Sequence, residues 1–310
     1  MPALPRVLAD VPLAPFIVEM LAGQVDWVPW NEAGSKPVDA VYTYGHPRVD
    51  TALLDKVPGV KVISNFGVGV DHINLAAATA RGIPVGNTPG VLDKAVADQA
   101  FALLLAAGRK IAEGDRYARG PDFLHYDPTY MLGQEVHGTT LGIVGMGAIG
   151  EQVARRARAF DMTLLYHNRK PKADSEAKYV ALHELLSVSD YVVLIVPLTA
   201  ETRGLIGKVE LALMKPTAVL VNIARGPVVD TAALTEALTA RQIYAAALDV
   251  TDPEPLPRDH PLLKLENVTI TPHLGSATEQ TRRRMAEVAM ENLLAGLAGR
   301  VLPFAVVPTT

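Results

Sequence analysis

Residues 141–150 read Leu141-Gly142-Ile143-Val144-Gly145-Met146-Gly147-Ala148-Ile149-Gly150, a short apolar run that ends in G-x-G-x-x-G. Beyond it, Ile149, Val153, Ala157 and Phe160 recur at the spacing of one helical face. A strand that turns through glycines into a helix is the phosphate-binding turn of a dinucleotide fold. Gly145 permits the tight turn out of the strand. Gly147 lets a pyrophosphate approach the backbone, and Gly150 lets the helix sit close to the sheet. The backbone of Met146, Ala148 and Ile149 completes the turn, and the helix start offers free N–H groups to an anion.

Outward from this turn, apolar strands alternate with helices in both directions, which implies parallel sheets covered on both faces. Toward the N-terminus, strands are expected at 6–10, 25–28, 38–43, 60–65 and 83–87, with helices at 13–22, 50–56 and 75–81. An Ala- and Leu-rich helix is expected over 93–119. Toward the C-terminus, strands are expected at 162–167, 191–196, 218–223, 244–249 and 268–271. Helices are expected at 182–186, 231–240 and 278–297. The fold class is α/β, with two doubly wound parallel-sheet domains.

The chain has 310 residues, long enough for two domains. Its formal charge is −4, from 29 basic and 33 acidic residues, which argues against nucleic acid as a main partner. The runs Arg155-Arg156-Arg158 and Arg282-Arg283-Arg284 read as solvated helix faces. No cysteine is present, so thiol catalysis, disulfides and thiolate metal sites are excluded. Met1-Pro2-Ala3-Leu4-Pro5-Arg6 lacks the shape of a signal peptide, and no apolar run reaches the roughly 18 residues of a membrane span. The expectation is a cytoplasmic protein with no membrane partner.

Four strand ends carry residues with chemistry. Asn168-Arg169-Lys170 lies about 20 residues beyond Gly145, where a ribose-reading group is expected. A carboxylate there would favour NAD. A guanidinium pairs with a 2′-phosphate instead, so these residues lean toward NADP. Val221-Asn222-Ile223-Ala224-Arg225-Gly226 ends in an arginine. Asp249-Val250-Thr251-Asp252-Pro253-Glu254-Pro255 is a strand end followed by a stiff acidic turn. Thr271-Pro272-His273-Leu274-Gly275 is a strand end bearing a histidine. In open α/β sheets, ligands bind at this edge.

These motifs, in this order, resemble the D-isomer-specific 2-hydroxyacid dehydrogenases. Asn65-Phe66-Gly67-Val68-Gly69-Val70-Asp71-His72-Ile73, Asn87-Thr88-Pro89-Gly90 and Val196-Pro197-Leu198-Thr199-Ala200-Glu201-Thr202 match as well, so the resemblance covers nearly the whole chain. It is nearest to the glyoxylate/hydroxypyruvate reductase branch. The resemblance implies a flavodoxin-like substrate domain of residues 1–97 and 278–310, and a Rossmann-type dinucleotide domain of 98–277 inserted in it. It implies Arg225 as the substrate-binding arginine, His273 as acid–base group and Glu254 as its partner. Backbone at Val68 and Gly69 would hold the substrate carboxylate. Pro197, Thr202, Ile223, Ala224 and Gly275 would line the cofactor, and Asp249 would contact its nicotinamide amide. A homodimer closing over a cleft between its domains is also implied.

The residue types fit the chemistry without metal. Reducing a 2-keto acid puts hydride on the carbonyl carbon and a proton on its oxygen. An imidazolium is a suitable proton donor, and arginine's fork holds the acid and polarises the carbonyl. The expected activity is NADPH-preferring reduction of glyoxylate and hydroxypyruvate, with NAD possible. A bulkier 2-keto acid such as 2-ketogluconate, phosphite, or a dinucleotide-sensing role on the same scaffold remains open. Two departures stand out. Phe123 and Tyr126 occupy a loop where relatives often carry tryptophan, and Asp98 stands where many have glutamate.

Overall fold

The computed structural model describes residues 3–10 and 12–307; Met1 and Pro2, where the reading of the N-terminal stretch begins, lie outside them. Two compact units emerge, Met1–Leu92 with Thr278–Thr310, and Asp93–Ala277. The division falls at the start of a helix, whereas residue 97 lies inside it.

The first unit runs β1 (Arg6–Ala9), α1 (Pro15–Met20), β2 (Asp26–Pro29), β3 (Ala40–Thr43), α2 (Thr51–Lys56), β4 (Val62–Asn65), α3 (Leu75–Ala80), β5 (Val85–Gly86). Its parallel sheet has the order β2-β1-β3-β4-β5, the doubly wound order of flavodoxin-like folds. Every residue of β3 and β4 is buried, as expected of central strands covered on both faces. Asp50 and Asn74 start α2 and α3 by accepting the N–H of Leu53 and Ala77. Leu53, Leu54, Ala77 and Ala78 of these helices then join Val41 and Ile63 of the sheet in one apolar cluster.

The second unit begins with α4 (Asp93–Gly108) and α5 (Ile111–Ala118). It continues through β6 (Thr140–Val144), α6 (Ala148–Arg158), β7 (Thr163–His167), β8 (Lys178–Tyr179), α7 (Leu182–Val188), β9 (Tyr191–Leu194), α8 (Lys208–Leu213), β10 (Val219–Asn222), α9 (Thr231–Thr239), β11 (Ala245–Leu248) and β12 (Val268–Ile270). The sheet order is β12-β11-β10-β9-β6-β7-β8, all parallel. That is the Rossmann order with one strand added, and it reverses between β6 and β9.

The single helix expected over 93–119 is two helices. Gly108 gives its carbonyl to the N–H of Gln134 at 2.7 Å, and Lys110 takes a left-handed conformation at φ 53°. A tertiary contact thus ends the helix where Ala and Leu content would have continued it. Short β8 and six-residue α8 carry too few residues for a readable period. Arg156 is more than a solvated charge. Its guanidinium reaches Asp98 at 2.6 Å and the Lys94 carbonyl at 3.1 Å, tying α6 to α4 and giving Asp98 a partner.

The chain then returns to the first unit. Thr278 accepts the N–H of Thr281 and starts α10 (Glu279–Leu297), which lies along β4. The Ser64 hydroxyl donates to the Ala289 carbonyl at 2.6 Å. A Cβ on Gly296 would overlap the side chain of Val62, so only glycine lets this helix sit so close. Replacing Gly296 with valine should lower unfolding stability by about 1–3 kcal/mol through overpacking. Urea denaturation followed by circular dichroism checks this; an unchanged midpoint would refute the packing account.

Candidate active site

The glycine turn leaves β6 where the strand order of the second sheet reverses. Gly145 has φ 108°, and a Cβ there would fall 2.8 Å from the backbone of Ile195, just past β9. A Cβ on Gly150 would strike the Gly145 carbonyl. Above Gly147 the space is open, and Gly147 and Ala148 are exposed while Met146 is buried. An anion therefore has access to the start of α6, whose first N–H groups have no intrahelical acceptor. The buried face of α6 is Gly150, Val153, Ala154 and Ala157; Ile149 is turned to its edge and only half-buried.

Asn168 follows β7 and faces this turn. Its Oδ1 accepts the Met146 N–H at 2.7 Å. An N–H only donates, so the oxygen of the amide is the atom spent here. What Asn168 still offers is an NH₂ group and the second lone pair of its oxygen, and the side chains of Arg169 and Lys170 beside it only donate. Ribose hydroxyls both donate and accept, whereas a phosphate only accepts and gains most from the charge of Arg169 and Lys170. The positive charge of Arg169 also reaches Glu201. The Thr199 hydroxyl, the residue's own N–H and the Arg169 charge hold the Glu201 carboxyl below the usual carboxylate range. Nearby, the Thr202 hydroxyl donates to the Pro197 carbonyl at 2.6 Å and accepts from the Thr199 N–H at 2.8 Å, closing the turn after β9.

The other site residues leave three adjacent strands in register. Asn222 of β10 pairs with Leu248 of β11, and Leu248 with Ile270 of β12. Ile223, Ala224 and Arg225 follow the first, Asp249 the second, and Thr271 to Gly275 the third. Ile223 and Ala224 are buried, and Arg225 is half-buried. The Asn222 side chain holds the turn at both ends, accepting the Ala224 N–H and donating to the Arg225 carbonyl. Arg225 Nη1 donates to the Ala224 carbonyl at 2.8 Å. A Cβ on Gly226 would overlap the backbone of Thr251, so glycine here brings the arginine turn against the loop that carries Glu254.

His273 Nδ1 lies 2.8 Å from Glu254 Oε1, with both side chains partly exposed. An ionised carboxylate only accepts, so Nδ1 carries the proton in this pair and Nε2 is the ring nitrogen turned away from Glu254. His273 sits at φ 55°, a left-handed conformation that costs a non-glycine residue on the order of 1–3 kcal/mol. Buried Asp249 holds it there. The Asp249 carbonyl accepts the His273 N–H at 2.9 Å. One carboxylate oxygen accepts from the Thr271 hydroxyl and the Leu274 N–H, and the other from the Gly275 N–H. Three of the roughly four acceptor positions of the carboxylate are thus spent on this turn. The sequence reading did not find this holding role; the spacing of Asp249 to Thr271 gives no local sign of it.

In the first unit, Val68 and Gly69 lie in the loop that follows β4, at the C-terminal edge of its sheet; Val68 is exposed and Gly69 half-buried. The loop at 120–133 places Phe123 and Tyr130 against Tyr117 of α5, while Leu124, Tyr126 and Leu132 are largely exposed.

A family profile described as D-isomer specific 2-hydroxyacid dehydrogenase, NAD binding domain, matches residues 101–275. A glyoxylate reductase from Aeropyrum pernix is 43% identical over 96% of this chain and 95% of its own length. A Thermus thermophilus protein of known crystal structure superposes with a TM-score of 0.91 at 46% identity, covering 97% of this chain and 100% of that one. An NADPH-dependent glyoxylate/hydroxypyruvate reductase from Sinorhizobium meliloti, solved in complex with NADP and malonate, superposes with a TM-score of 0.90 at 31% identity, covering 98% and 97%.

Substituting Asp249 with asparagine sets an NH₂ group against an N–H or O–H donor on at least one side. We expect a loss of about 1–3 kcal/mol in stability, the cost of an unmet buried donor. The turn holding His273 should loosen with it, seen as faster hydrogen exchange at 273–275. Unchanged exchange would show that the turn does not depend on this carboxylate.

Proposed function

Because the chain belongs to the D-isomer-specific 2-hydroxyacid dehydrogenases, NAD(P)-dependent oxidoreductases, we propose that it reduces glyoxylate and hydroxypyruvate with NADPH as preferred reductant and NADH as a second one. The observation that carries this reading is the His273–Glu254 pair at 2.8 Å, set on a turn beside the Arg225 strand end.

The open, exposed turn at Gly147 and Ala148 fits a pyrophosphate, and the donor set of Asn168, Arg169 and Lys170 fits a 2′-phosphate. Pro197, Thr202, Ile223, Ala224 and Gly275 would line the rest of the cofactor, with Asp249 at the nicotinamide amide. When bound, the reduced dinucleotide supplies the hydride. The chain's own residues do the remainder. Arg225 binds the acid and draws electron density toward the carbonyl oxygen. His273 Nε2 gives that oxygen a proton, and Glu254 keeps the ring in the orientation and tautomer this requires. Val68 and Gly69 offer backbone N–H groups to the substrate carboxylate. We further propose a homodimer, supported by the exposed apolar side chains of Ile111, Leu124, Tyr126 and Leu132.

Initial rates with glyoxylate, hydroxypyruvate, pyruvate and 2-ketogluconate, each with NADPH and NADH, test the reading. Fast NADPH turnover of the small acids is expected. Preference for NADH would overturn the cofactor assignment, and no turnover of any acid would overturn the activity. Arg169→Ala should raise KM for NADPH about tenfold or more, the worth of a charge-assisted pair, and leave KM for NADH nearly unchanged. His273→Ala should lower kcat about 10²- to 10⁴-fold, as loss of a general acid does.

A further inference from the structure

The loop after β4 has an unusual arrangement of carbonyls. Buried Asn65 closes the strand, and its Oδ1 accepts the Thr43 hydroxyl at 2.7 Å. That fixes the amide with its NH₂ toward the loop, where Nδ2 donates to the carbonyls of Gly67 and Gly69, both at 2.9 Å. The Gly67 carbonyl also accepts the Thr88 N–H at 3.0 Å. Between them, the Val68 carbonyl accepts from Asn87 Nδ2 at 2.8 Å. Three successive carbonyls are thus held by side-chain amides from two neighbouring chain segments.

A trans peptide is planar, with its N–H directed opposite to its C=O. Pinning the carbonyls of 67, 68 and 69 therefore turns the N–H groups of Val68, Gly69 and Val70 away from the two asparagines. Among the described residues, none of these three N–H groups has a protein acceptor. The Val68 and Val70 N–H groups thus point away from Asn65 and that of Gly69 away from Asn87, leaving a run of backbone donors suited to a carboxylate.

We infer that Asn65 and Asn87 are positioning residues for substrate recognition: they aim the N–H groups of Val68, Gly69 and Val70 at the carboxylate of the 2-keto acid. This rests on the reading of Val68 and Gly69 as carboxylate contacts and extends it to Val70 and to the two amides behind them. Asn65 holds two carbonyls and Asn87 one, so their effects are graded. Neither amide touches the reacting carbonyl, so their loss weakens substrate binding without slowing the chemical step.

The test measures glyoxylate reduction by full-length wild type, Asn65→Ala and Asn87→Ala with NADPH, together with the dissociation constant for NADPH and the circular dichroism spectrum of each. KM for glyoxylate should rise about tenfold for Asn65→Ala and about threefold for Asn87→Ala, with kcat within about twofold and NADPH binding unchanged. Should Asn65→Ala lose its fold, Asn87→Ala alone decides, because Asn87 lies nearer the surface and its backbone contacts remain. A glyoxylate KM within about 1.5-fold of wild type in the folded variants would overturn the inference while leaving the reductase reading intact. A fall in kcat or in NADPH binding matching the rise in KM would overturn it too, showing a general loss of structure. Wild type inactive on every 2-keto acid would instead remove the reading beneath it.

Discussion

The Asp249 carboxylate sits where β11 ends and receives three hydrogen bonds from the next strand's exit. Its own carbonyl takes a fourth, from the residue that carries the imidazole. A buried carboxylate is costly unless hydrogen-bonded, and here that requirement is met only if the chain after β12 folds back in one particular way. The left-handed backbone of His273 is the outcome. The ring then lies within hydrogen-bonding distance of a glutamate 19 positions earlier in the chain. The His273–Glu254 pair is thus a consequence of satisfying a buried charge, and its placement comes from backbone donors and not from the flexible side chain of Glu254.

Much of this was legible from residues alone, because the signals are local. A glycine turn between an apolar run and a helical period needs no tertiary information, and both sheets follow from alternation of strand and helix. The placement of Arg225, Asp249 and His273 at strand ends was legible for the same reason, since each follows a readable strand. What sequence could not show depends on contacts between distant segments. The break at Lys110 follows Gly108, whose carbonyl is taken by the Gln134 N–H, and one glycine in an Ala- and Leu-rich run does not by itself mark a stop. Asn168 stood at the expected ribose position, yet its oxygen turned out to be engaged by Met146. Asp98 had no readable meaning until Arg156 was found beside it.

A few atoms set the charge at the exit of β7. With one lone pair of the Asn168 oxygen given to Met146, the exit of β7 carries mostly donors and positive charge. Glu201 is the counterweight, since its exposed carboxylate shares the Arg169 field. Exposed charges interact through water and are screened by salt, so this competition is weak and varies with ionic strength. The charge at this strand exit is therefore a balance of small terms around one guanidinium.

The first unit is written in two pieces, and α10 is the last of them. Ser64 of β4 reaches the Ala289 carbonyl, and Asn292 reaches Asn87 at 3.0 Å, across 225 and 205 positions of chain. A ribosome releases the five strands of that sheet long before it releases the helix that lies along β4. The second unit is continuous and is synthesised whole within that interval. Domains generally fold as units, and during synthesis the earlier-completed one folds first. In this protein the order is inverted relative to the numbering: the segment that begins the chain is finished last, and its half-covered sheet must wait while the whole of the second unit is made and folds.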